Sequence, residues 1–78
     1  MNIIGPQVKA LRERQDLTLK ELELKLNSLG WGISHTLISK IEKKKRKVSD
    51  TELVYFCEVF NVNPIQLLNG DSPFPLKV

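Results

Sequence analysis

Four times along this chain, a residue able to cap a helix stands directly after one apolar residue and shortly before another. The sets are Leu17–Thr18–Leu22, Ile33–Ser34–Ile38, Val48–Ser49–Leu53 and Val62–Asn63–Leu67. A cap of this kind accepts a hydrogen bond from one of the early backbone N–H groups that an α-helix leaves unpaired. The flanking apolar pair closes over it as a staple. Thr18 with Glu21, and Ser49 with Glu52, complete capping boxes in which the glutamate answers the cap's own N–H. Helices started this often are short, and the sequence between the starts shows helical periodicity and little strand alternation. The pattern predicts an all-α fold.

The starts and the apolar spacing together predict five helices. The first begins near Pro6, a good first-turn residue, turns Val8 and Leu11 inward and stops near Gln15. The second starts at Thr18, buries Leu22, Leu26 and Leu29, and ends at Gly30 in a left-handed conformation. The third runs over about 34–43, with Ser34 as its cap and Leu37, Ile38 and Ile41 on one face. The fourth starts at Ser49 and presents Leu53, Phe56, Cys57 and Phe60. The fifth starts at Asn63, with Pro64 in its first turn, and is closed by Asn69 and Gly70. A chain of 78 residues supports one compact domain with a modest core. The expected division is a domain over 1–70 and a short C-terminal tail over 71–78. The tail has no helical period. It reads either as a frayed terminus or as an arm, with Phe74, Leu76 and Val78 alternating with Pro73, Pro75 and Lys77.

Composition narrows the function. No apolar run approaches the ~20 residues of a membrane span, and the first residues lack the pattern of a secretion signal. Cys57 is the single cysteine, so no internal disulfide is possible. Its apolar neighbours make it a small buried core residue, the other reading being a reactive thiol or an intermolecular bridge. The expected compartment is the reducing cytoplasm. One histidine and one cysteine do not make a metal cluster of ordinary spacing, and there is no glycine-rich phosphate loop. His35 has no visible catalytic partner. Neither an enzyme nor a cofactor, metal or small-molecule ligand is expected.

The charge is mild in total, +3, but unevenly placed. In ISHTLISKIEKKKRKVS, from Ile33 to Ser49, a capped helix runs directly into five consecutive cations, Lys43, Lys44, Lys45, Arg46 and Lys47. Such a run alone is equally a solvated loop. Next to a helix held by its apolar face and polar at its N-terminal end, it suits a DNA groove. Polar side chains can read base edges there while cations bind phosphates.

The segments LRERQDLTLKEL, ISHTLISKIEKKKRKVS and LVYFCEVFNVNPIQLL, in this order, resemble the lambda-repressor-like, Cro/C1 (XRE-type) helix-turn-helix domains from about Val8 to Gly70. The resemblance implies that helix two lies across the DNA and helix three enters the major groove. Carried onto this sequence, it implies base reading by Ser34, His35, Thr36, Ser39 and Lys40. Thr18, Lys20, Lys43, Lys45 and Arg46 would touch phosphate. Arg12 and Glu42 match a structural ion pair between helices one and three, either buried or a weak surface bridge. The function implied is a sequence-specific transcription regulator, a repressor, binding double-stranded DNA as a homodimer on a two-fold related operator. Helix five and the tail, through Ile65, Leu68, Phe74 and Leu76, would form the dimer surface unless Ile65 and Leu68 simply close the core.

The sequence also departs from the family. Leu19 stands where glutamine is common and cannot make its phosphate hydrogen bond. Glu23 stands where a small residue is usual and alters the approach of helices two and three. The turn between those helices, Asn27 to Ile33, is long. Trp31 within it either packs the turn onto the domain or stacks on DNA. Lys44 replaces a glycine that often ends helix three, so the helix continues or lysine takes a strained cap. Two other functions remain open on these residues: a protein-interaction module, such as an antitoxin or anti-repressor, and a nonspecific nucleic-acid binder.

Overall fold

A computed structural model describes residues 4–69 of the chain. Five helices follow one another: α1 (Gly5–Arg14), α2 (Leu19–Ser28), α3 (His35–Glu42), α4 (Asp50–Phe60) and α5 (Pro64–Asn69). The starts are where the local chemistry puts them. Thr18 Oγ1 accepts from the Glu21 N–H at 3.0 Å, and Glu21 Oε1 accepts from the Thr18 N–H at 2.8 Å. Ser49 and Glu52 repeat the exchange at 3.2 and 3.0 Å. Ser34 Oγ accepts from the Leu37 N–H at 3.3 Å. Asn63 and Gln66 form an amide version of the same box ahead of α5.

The helix ends share a device that the sequence offers at Gly30 and, as one of two alternatives, at Lys44. After each of α1 to α4 a single residue takes positive φ: Asp16 (61°), Gly30 (109°), Lys44 (64°) and Asn61 (58°). Each reversal lets two successive N–H groups fold back onto orphan carbonyls of the last turn. After α3, Lys44 N–H bonds Ile41 at 3.0 Å and Lys45 N–H bonds Lys40 at 2.7 Å. Only Gly30 adopts this conformation without steric cost. Asp and Asn tolerate it through their short polar side chains, whereas lysine does not. Helix three therefore stops at Glu42, and Lys44 bears the strain. Replacing Lys44 with glycine is expected to stabilise the domain by about 0.5–1 kcal/mol, the relief exceeding glycine's larger unfolded-state entropy. Urea unfolding would show it, and a loss of stability would mean that the lysine side chain makes up the strain.

The core is one cluster reaching from Ile4 to Leu67, including Val8, Leu11, Leu22, Leu26, Ile33, Ile38, Ile41, Phe56, Phe60 and Val62. Three expected core residues sit differently. Leu29 is 40% exposed, because α2 has ended and the cover beyond Leu26 comes from Trp31 and Ile33. Leu37 is 36% exposed. Neighbouring residues point about 100° apart on a helix, and Ile38 takes the inward direction. Cys57 is half-buried beside Phe56 for the same reason, and this partial burial raises its thiol pKa.

Trp31 stacks on Tyr55 with centroids 5.6 Å apart and meets Phe56 edge-on at 5.2 Å, fastening the long turn onto α4. Asn27 ties the turn together. Its Nδ2 donates to the carbonyls of Trp31 (2.8 Å) and Ile33 (3.1 Å). Ile65 and Leu68 do not close the core; they are 70% and 40% exposed on α5. Gly70, Phe74 and Leu76 lie outside the described residues. Among the described residues no helix is long and apolar enough to cross a membrane.

Candidate nucleic-acid interface

Helix α3 is anchored from behind. Ile38 and Ile41 are buried, and α1 and α2 both pack against it. Its position is further fixed by Arg12 of α1. Arg12 Nε donates to Glu42 Oε2 at 2.7 Å and its Nη2 to Oε1 at 3.2 Å, a two-pronged contact. A third donation, from Nη1 to the Leu17 carbonyl at 2.8 Å, ties the same guanidinium to the turn before α2. The side chains are 12% and 6% exposed. Bonding to Glu42 raises the Arg12 pKa further, so the arginine stays charged.

With its inner face held, α3 turns its other side outward into a shallow surface concavity. Leu19, His35, Thr36, Ser39, Lys40, Lys43 and Lys45 line it. Four of the five base-reading candidates thus share one surface with two of the phosphate candidates. Ser34 lies at the rim of the helix start, exposed, with its hydroxyl oxygen already accepting from Leu37. Thr18 and Lys20 are exposed at the start of α2. The Thr18 hydroxyl accepts within its capping box and keeps its own proton to donate outward.

Two candidates are bonded to carboxylates of the protein. Arg46 donates to Glu52 through Nη1 at 3.1 Å and Nη2 at 2.8 Å, and also to the Lys47 carbonyl. This pair clamps the basic loop to the cap of α4. The bonds from Arg46 lower the Glu52 carboxyl pKa, with Ser49 adding to the effect. His35 is bound to Glu23 of α2: Oε1 lies 2.6 Å from the His35 backbone N and 2.8 Å from Nδ1. The glutamate in a customarily small position therefore reaches across to cap α3 from outside. The ring and backbone bonds of His35 lower the Glu23 carboxyl pKa.

Leu19, which cannot make the hydrogen bond of the usual glutamine, nonetheless lies on this surface. It is half-buried and its side chain forms the apolar wall of the concavity. The signal was present, since a leucine directly after a helix cap sits on the same end of α2 that faces α3.

Comparison with known proteins adds one finding: a helix-turn-helix family model matches residues 8–67. No curated protein and no solved structure gives a significant match. The matched span runs from the middle of α1 into α5 and takes in α2, the long turn and α3, and the chain accordingly belongs to the lambda-repressor-like, Cro/C1 (XRE-type) helix-turn-helix family of DNA-binding domains.

Proposed function

We propose that this protein is a cytoplasmic, sequence-specific transcription regulator, a repressor, that reads the major groove of double-stranded DNA with α3. The observation that carries the reading is the single outward surface on which His35, Thr36, Ser39 and Lys40 meet Lys43 and Lys45. Polar groups that discriminate bases and cations that neutralise phosphates are combined there on a helix whose back is rigidly packed. Lys40 donates to guanine O6 and N7, and Thr36 and Leu19 offer methyl groups to thymine. Lys43 and Lys45 contact phosphate, as do Lys20 and the Thr18 hydroxyl. Arg46, bonded to Glu52, sets the loop that carries Lys45.

One α3 spans only a few base pairs, so useful specificity requires a homodimer on an operator with two-fold symmetry. The exposed Ile65 and Leu68 on α5 support a dimer face there. The test is selection from random duplex DNA by the purified protein at physiological salt, followed by sequencing of the bound pool. The expected result is an inverted repeat with half-sites about one helical turn apart. Salt-sensitive binding without any enriched sequence would overturn the specific reading and leave a nonspecific binder.

A further inference from the structure

On the reading of α3 as the groove-binding helix, we infer that Glu23 makes His35 a hydrogen-bond acceptor toward DNA, so that on the strand it faces His35 favours adenine or cytosine, whose exocyclic amines (N6, N4) donate, over thymine or guanine. The argument begins with the carboxylate. An ionised carboxylate only accepts hydrogen bonds. Glu23 Oε1 takes the His35 backbone N–H at 2.6 Å and lies 2.8 Å from the ring Nδ1. Nδ1 therefore carries the proton. In a neutral imidazole the other nitrogen then has the free lone pair.

The ring's placement gives that lone pair a use. His35 is the first residue of α3 and its side chain is 46% exposed in the concavity with Thr36, Ser39 and Lys40. With Nδ1 turned back toward α2, Nε2 occupies the opposite edge of the ring, on the open side. Side chains at the N-terminal end of a recognition helix are the ones that contact base edges. In the major groove, adenine and cytosine offer an amine donor, while guanine and thymine offer acceptors at the corresponding edge. An acceptor nitrogen matches the first pair and repels the second. Glu23 is thus a positioning residue. It sits outside the base-reading set and fixes both the rotation of the ring and the nitrogen that bears the proton.

The experiment has two arms, both at pH 8, where an ordinary imidazole is neutral. His35 is the only histidine in the chain, so nitrogen-15 spectra of the free protein report its tautomer without ambiguity. The expected form carries the proton on Nδ1 alone; a proton on Nε2, in the other tautomer or in the imidazolium, would overturn the proposal. In the second arm, random-duplex selection is run with the wild type, Glu23→Ala, Glu23→Gln and His35→Ala. At one position of each half-site the wild type should distinguish the two orientations of a base pair, A·T from T·A or C·G from G·C, with adenine or cytosine on the strand that His35 faces. Glu23→Ala and His35→Ala should each lose about five- to tenfold of that preference, the worth of one hydrogen bond, with other positions retained. Glu23→Gln keeps an acceptor oxygen for both His35 groups and should retain the preference and the tautomer. A preference unmoved by Glu23→Ala would overturn the assignment while leaving the DNA-reading function intact. A wild type that enriches no sequence would overturn both.

Discussion

Replacing Arg12 with alanine is expected to destabilise the domain by about 3–5 kcal/mol, the range for removing one partner of a buried ion pair. Three hydrogen bonds leave with the guanidinium, two to Glu42 and one to the Leu17 carbonyl. The larger penalty falls on what remains, because the Glu42 carboxylate is only 6% exposed and would lose its paired charge. A small domain has about 5–15 kcal/mol of stability in total. The midpoint of thermal unfolding should therefore fall by more than about 10 °C. Replacing both partners at once, Arg12→Met with Glu42→Leu, should be far less damaging, since no unpaired charge is left behind. Circular dichroism melts of the two variants decide the matter. A loss below about 1 kcal/mol from Arg12→Ala would show that solvent screens the pair as it screens a surface bridge.

The same pair shows which features of this fold were legible from sequence. Helix starts are local: Thr18 and Glu21, or Ser49 and Glu52, lie within one turn, so side-chain chemistry alone announces them. Helix ends follow the same geometry four times, yet Asp16, Lys44 and Asn61 carry the positive φ at three of them; Gly30 announces it by residue type, and Lys44 only through the glycine it replaces in the family pattern. The core was legible where residues repeat along one line, as with Leu22 and Leu26 or Phe56 and Phe60. It was misread at Leu37 and Cys57, each sequence-adjacent to the residue that occupies the inward direction. The site was legible as a set of residue types on α3. The couplings that shape it, Glu23 with His35 and Arg46 with Glu52, cross a turn or a loop, and no spacing rule joins their members. Glu23 stood out only as a departure from the family pattern, and its partner emerged once the long turn, fastened by Asn27 and Trp31, had been placed.

A contrast between Lys40 and Lys45 should separate the two ways in which this surface is proposed to hold DNA. Both are exposed and line the same concavity, but they belong to different parts of it. Lys40 lies within α3, on the side turned away from Ile38 and Ile41. Lys45 lies beyond the left-handed residue Lys44, and its backbone N–H folds back onto the Lys40 carbonyl. On the proposed docking, the lysine inside the helix reaches base edges, whereas the one on the turn after it reaches the sugar–phosphate backbone. Lys40→Ala is therefore expected to lose about 1–3 kcal/mol of discrimination at a guanine position, with much smaller effects on unrelated duplexes. Lys45→Ala is expected to weaken every duplex alike. It should also reduce the steepness of log K against log salt by about 0.9, the contribution of one neutralised phosphate. Binding titrations of each variant, on the selected operator and on a scrambled duplex at several salt concentrations, measure both quantities. If Lys40→Ala weakened the scrambled duplex as much as the operator, Lys40 would be a phosphate contact. Base reading would then rest on the N-terminal end of α3, where Thr36 and the Glu23-held ring of His35 stand.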